Sequence, residues 1–295
     1  MPESLSAKNE VTSIALVIIL SVIWGLAFVA IRSAVQELTP VNLTLLRWLI
    51  VSGTFLVLAP FIGKPKAPLM RSDIPRFVLV SFASVGGYHL SLNYAETIVS
   101  AGLAGLLISF GPIFVVLLSA VFLKERIGTK LMIALALAVA GAFVLSINAD
   151  LSFQQMSGPL GVVLSAFMYG VYSVGSKPLV KKYGAMPVAV WVAVLGTIFL
   201  LPLLSWSFVT NVSSLSTSGW MSVLYLAILS TVLANIILYT LIGGRAVSRL
   251  SVQLYLIPIV SLVGGILLLG ESLTTFTILG AGLMLTATAL ATRRK

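Results

Sequence analysis

Ten uninterrupted apolar runs, at about 12–33, 41–62, 75–95, 98–123, 128–147, 158–179, 187–207, 219–241, 247–270 and 274–291, set the terms for any fold of this chain. Each is close to the roughly 20 residues that an α-helix needs to cross about 30 Å of hydrocarbon. With 59% of its residues hydrophobic, 9% charged and a mean hydropathy of +1.13, the chain lacks the polar residues for a soluble surface. A β-barrel is excluded because its strands alternate apolar and polar residues over about ten positions, whereas these runs are continuously apolar. The first run is too long for a cleaved signal peptide and lacks its basic flank and small-residue cleavage site. The sequence therefore predicts an all-α membrane protein with ten transmembrane helices and the lipid bilayer as its surroundings. Roughly 95 residues remain for two tails and nine loops, so no loop holds a soluble domain.

A net charge of +10 raises nucleic acid as a partner, but the placement of the charges excludes it. With a cytoplasmic N-terminus and ten spans, sixteen of the eighteen Lys and Arg residues fall on the cytoplasmic side, leaving only Arg32 and Arg47 on the other. Such an asymmetry over short loops orients the chain, so both termini are expected in the cytoplasm and the protein in a cell's inner membrane.

The chain repeats itself. A shift of 146 residues lays "LISFGPIFVVLLSAVFLKERI" over "LYLIPIVSLVGGILLLGESLT", bringing Pro112 onto Pro258 and Glu125 onto Glu271. The expected halves are 1–150 and 151–295. Each holds five spans, and because five is odd the second enters the membrane from the opposite side, giving an inverted repeat. Inverted repeats place substrate sites near the bilayer midplane between the halves. Each proline removes a backbone hydrogen bond, which is expected to free the carbonyl of Ile108 or Leu254 and make the two prolines hinges.

These features resemble the EamA type of the drug/metabolite transporter superfamily: two five-helix halves, Trp24-Gly25 in the first span, Arg47 in the second, and a proline followed thirteen residues later by a glutamate in the fourth and ninth. The resemblance covers nearly the whole chain. It implies export of small metabolites, often amino acids or their toxic analogues, by alternating access. With the repeat, it implies a cavity lined by spans 1, 3, 4, 6, 8 and 9. Sugar-phosphate and nucleotide-sugar exchangers share the fold but meet phosphates with membrane-embedded Lys or Arg, and the late spans here have no central basic residue.

Polar residues at membrane depth cost about 2.5–3.5 kcal/mol when charged, so each needs an account. His89, the only histidine, and Asn93 share a helix face, and the 146-residue shift carries them onto Asn235 and Tyr239. These pairs read as a polar cavity lining or as interhelical hydrogen bonds. His89 is also the candidate group for proton coupling. Trp24 and Phe28 correspond to Tyr169 and Tyr172, while Tyr88, Ser109, Gln253 and Tyr255 complete the expected lining. Such an aromatic cavity suits an amphipathic solute. Gly25 and Gly170 permit close helix approach or a bend. Arg47 and Glu96 lie near the outer ends of their spans and are expected to pair as an exterior gate, with Glu125 serving similarly inside. Loop cations such as Lys182 serve topology.

No GxxxxGK[ST] sequence is present to drive transport with a nucleotide, and no HExxH; one histidine and no cysteine cannot build a multi-histidine or thiolate metal site. No cofactor or metal is expected, and transport is passive or driven by an ion gradient, protons being the candidate. An intramembrane enzyme would need acids or histidines clustered at one interface, whereas the eight acids here are scattered. A non-transport assembly subunit is the other alternative.

Overall fold

A computed structural model describes residues 2–61, 65–123, 129–147, 153–237, 247–272 and 274–292, and every regular element among them is helical. The chain opens with α1 (Pro2–Ala34) and α2 (Pro40–Leu58). A composite rod follows, made of α3 (Ile74–Ser81), a π-helix over Phe82–Leu90 and α4 (Ser91–Ala95). Next, α5 (Ala101–Leu107) passes through a 3-10 turn, Ile108–Phe110, into α6 (Gly111–Leu123), and then comes α7 (Thr129–Ile147). Beyond these lie α8 (Phe153–Tyr183), α9 (Ala185–Leu200), the short α10 (Trp206–Ser213) and α11 (Thr217–Leu224), which runs into a second π-helix, Tyr225–Leu233. Finally come α12 (Val247–Leu269) and α13 (Thr275–Thr292).

Polarity runs inside out. Val57, Phe61, Val121, Phe122 and Leu267 are more than two-thirds exposed, while Ser21, Asn42, Thr44, Arg47, Ser52, His89, Asn93 and Glu96 are buried. That distribution suits a hydrocarbon solvent, where backbone and side-chain polar groups must find partners within the protein. Among the described residues, five helical runs are long and apolar enough to span a membrane: Pro40–Phe61, Ala101–Phe122, Met156–Tyr183, Ala185–Leu203 and Thr217–Ile237. Shorter apolar stretches lie at Ile18–Ala34, Met132–Gly141, Ile257–Leu269 and Thr275–Ala287.

Helices pack in pairs that are images of one another. α1 lies on α12 as α8 lies on α6; α1 meets the second π-helix as α8 meets the first; α7 packs on α13, and α2 on α9. Matched notches seat the first of these pairs. A Cβ on Gly25 would come within 2.5 Å of the Val260 Cβ and 3.0 Å of the Ile257 carbonyl; one on Gly170 would come within 3.0 Å of the Phe114 Cβ. Phe114 and Val260 are 146 residues apart and the two glycines 145, so the notches lie within one residue of equivalent places. Both glycines lie within unbroken helices, where they permit close approach.

Glu271 fastens the far end of α12 to α5. Gly270, at φ 68°, adopts the left-handed backbone that glycine tolerates without strain, and the chain turns there. The Glu271 carboxylate then accepts the backbone N–H groups of Ala101 (2.6 Å) and Gly102 (3.0 Å) at the start of α5, beside the Ser100 cap. Helix N-termini carry unpaired N–H groups and favour negative charge, so a carboxylate here is stabilising.

The prolines differ. Ile108 does not have a free carbonyl: the 3-10 turn lets the Gly111 N–H reach it, replacing the bond that Pro112 cannot make. Pro258 stands within the continuous α12. Lys182, one of the loop cations, forms an ion pair with Asp73 at 2.5 Å, and Tyr183 donates to the same carboxylate.

Gly25→Ala should destabilise the fold by about 1–3 kcal/mol, the usual cost of overpacking, because a backbone carbonyl lies in the way. Gly53→Ala, where a Cβ would meet nothing within 4 Å, should be neutral or stabilising by up to about 1 kcal/mol. Thermal unfolding in detergent would compare the two.

Candidate functional site

The two π-helices shape the centre of the molecule. A π-turn carries one residue more than an α-turn between hydrogen-bonded groups, which rotates side chains and exposes carbonyls to outside donors. Neighbours take those carbonyls: the Trp24 indole donates to Ser230 O (3.1 Å) from α1, and the Ser165 hydroxyl donates to Tyr88 O (2.9 Å) from α8. Tyr225 returns a bond to Ile23 O at 2.8 Å. Tyr225 follows Phe82 by 143 positions and Leu233 follows Leu90 by the same number, three fewer than the 146 that separate Pro112 from Pro258 in the sequence. The π-helices thus match Tyr88 with Thr231 and Leu92 with Asn235, correcting the expected match of His89 with Asn235.

Between these elements lies a cavity of about 150 Å³. It is lined by Trp24, Phe28 and Ile31 of α1, by Tyr88 and His89 of the first π-helix and by Tyr169 and Tyr172 of α8. Ile108, Gly111, Ser230, Thr231, Asn235 and Ile257 also line it. The rings adjoin one another: His89 is edge-to-face with Trp48 (5.1 Å) and Tyr88 (4.7 Å), and Tyr169 stands 6.1 Å from Tyr88 and 6.4 Å from Tyr172.

Arg47 belongs to this cavity. The residue is 3% exposed, and its Nε and Nη2 both donate to Thr231 Oγ1, at 3.2 and 2.8 Å. The Thr231 hydroxyl donates its own proton to Leu226 O five residues back, a π-helical spacing, and so turns its lone pairs toward the cation. The expected gate pair is absent. Glu96 is fully buried at the end of α4, neither carboxylate oxygen has a hydrogen-bond partner among the described residues, and no ion pair joins it to Arg47. Arg32 instead reaches the Glu96 backbone carbonyl. Glu96 caps the end of its helix as expected, but Arg47 lies two turns inside α2 and donates to Thr231 of the second π-helix.

Other expected lining residues fall elsewhere. Asn93 shares the face of His89, but that face looks onto α2, where Asn93 donates to Thr44 Oγ1 at 2.9 Å. Ser109 turns back onto its own helix, toward Gly105 O at 3.5 Å. Tyr239 and Glu125 lie outside the described residues, as do the side chains of Pro112, Gln253 and Tyr255. Span 2 contributes to the cavity through Arg47 and Trp48, and neither Trp48, Ser84 nor Thr231 was singled out from sequence. Trp48 carried a signal, being a tryptophan beside a membrane-embedded arginine and away from the span ends where such residues anchor.

The EamA-like transporter family model matches residues 11–147 and again 156–293. The chain belongs to the EamA-like transporter family. As such it is a multi-pass membrane protein that moves small molecules. An uncharacterized transporter of Archaeoglobus fulgidus is 34% identical over 272 residues, spanning 92% of this chain and 95% of its own. A probable terminal-alkyne amino-acid exporter of Streptantibioticus cattleyicolor is 33% identical, spanning 92% and 91%. A probable amino-acid metabolite efflux pump of Escherichia coli is 29% identical, spanning 96% and 94%. A solved crystal structure that is 18% identical has the same fold, with a TM-score of 0.59 over 95% of this chain and 96% of the other.

Thr231→Val should cost about 1–3 kcal/mol, toward the upper end because it strands a charged donor, whereas Thr231→Ser should cost much less. Unfolding midpoints of the purified variants would test this ordering.

Proposed function

We propose that this EamA-like transporter exports a small amphipathic metabolite, an amino acid or analogue, across a cell's inner membrane. In this reading it has ten transmembrane helices in two inverted repeats, 1–150 and 151–295, with both termini cytoplasmic. Solute passes by alternating access through the cavity between the repeats, with Pro112 and Pro258 as hinges. The observation that carries the reading is the cavity itself, which draws side chains from both halves and places one guanidinium among aromatic rings. Its size suits a solute smaller than those of drug-sized pockets, which run to roughly 300–1,000 Å³. The names of the Streptantibioticus and Escherichia relatives support amino acids as the substrate class. A single cavity cation among the described residues favours a monoanion over a sugar phosphate or nucleotide sugar.

Protons are the coupling ion in this reading, with His89 and Glu96 as carriers. Both are buried, and His89 Nδ1 and the Glu96 oxygens have no partner among the described residues. Liposomes containing the purified protein and loaded with individual amino acids should release at least one faster than empty-membrane controls, and faster still under an inward proton gradient. Release no faster than from controls, with the protein folded, would contradict export. A His89→Gln variant with unaltered pH dependence would remove His89 from the coupling.

A further inference from the structure

We infer that Arg47 is the anchor for a carboxylate on the transported solute, an inference that rests on the transport reading above. A guanidinium has five N–H donors in a planar fork. Thr231 occupies only the side edge of that fork, formed by Nε and Nη2. The end edge, Nη1 with Nη2, has the spacing that matches the two oxygens of a carboxylate. Among the described residues no carboxylate comes within 4.0 Å of the group: their one ion pair is Lys182–Asp73. Glu96 lies near enough to act on Arg47 through space, yet accepts no hydrogen bond from it.

A buried cation without a contacting counter-ion is costly, and an anion entering the cavity removes that cost. Arg47 lines the same cavity as Trp24, Phe28, Ile31 and Ile108, so a carboxylate held there has an apolar wall within reach for the rest of the molecule. The solute class is therefore a small monocarboxylate with an apolar side group. Its amino group is not required by this contact.

The test is counterflow in proteoliposomes with labelled L-leucine, competed by unlabelled L-leucine, isocaproate, L-leucinamide or 3-methylbutylamine. Leucine and isocaproate carry the carboxylate; the amide and the amine do not. The unaltered protein should take leucine and isocaproate roughly 10- to 100-fold more tightly than the other two, the worth of a charge-assisted hydrogen bond. Arg47→Gln, confirmed as folded by size-exclusion chromatography, should lose that preference, and Arg47→Lys should keep part of it. Leucinamide competing as well as leucine in the unaltered protein would overturn the inference without needing any variant to fold. So would a folded Arg47→Gln protein that keeps its preference. Movement of the amide or amine alone would leave the transport reading standing and defeat this one. Movement of none of the four, each labelled in turn, would defeat this inference, whereas the export reading falls only if no amino acid is released in the assay above.

Discussion

Arg47 carries a charge into the buried centre of this protein, and the surroundings of its guanidinium are organised around keeping it there. Ion burial costs several kcal/mol even after relaxation. The bond to Thr231 offsets part of that cost, and it forms because the second π-helix lets the Thr231 hydroxyl spend its proton on Leu226 O and present its lone pairs outward. An α-helical turn at that place would aim the hydroxyl elsewhere. The π-helix is held in turn by α1, through Trp24 on Ser230 O and Tyr225 on Ile23 O. Backbone geometry, buried charge and aromatic wall are thus one interlocked unit.

Around this unit the packing is duplicated. The glycine notches at Gly25 and Gly170 seat equivalent helix pairs, and Glu271 fixes the turn after α12 to the start of α5. These contacts are firm, short-range and apolar or backbone-directed. The cavity lies between them, and its wall is tied by the bonds of Trp24 to Ser230 O, Arg47 to Thr231 and Ser165 to Tyr88 O.

Much of this was legible in the sequence, for reasons that differ by residue. Continuous apolar runs identify membrane helices because the bilayer demands about 20 such residues, and the aromatic residues at Trp24, Phe28, Tyr88, Tyr169 and Tyr172 stand out as large side chains near midspan. What escaped is what depends on rotation about a helix axis. Nothing in hydropathy marks the π-helices, and each alters the facing of every residue after it. Hydropathy likewise does not show that the face shared by His89 and Asn93 meets α2 at Thr44, or that the π-helices lie 143 residues apart, which matches Tyr88 with Thr231. Arg47 and Glu96 were placed together by their depth in the membrane, but depth does not fix azimuth. The Ile108 carbonyl was expected to be free because a proline follows it by four residues, and a 3-10 turn recovers the bond locally.

The claim on which the account rests is that the central cavity opens to each side of the membrane in turn. The chain has no cysteine, so a single Ser84→Cys substitution in the cavity wall gives one reporter without further changes. Its reaction with a membrane-impermeant thiol reagent would be measured with the reagent applied to one face of the membrane and then to the other. The account predicts labelling from both faces, with the balance shifted by a transported solute. Labelling from one face alone, unaltered by any solute that the protein moves, would contradict it.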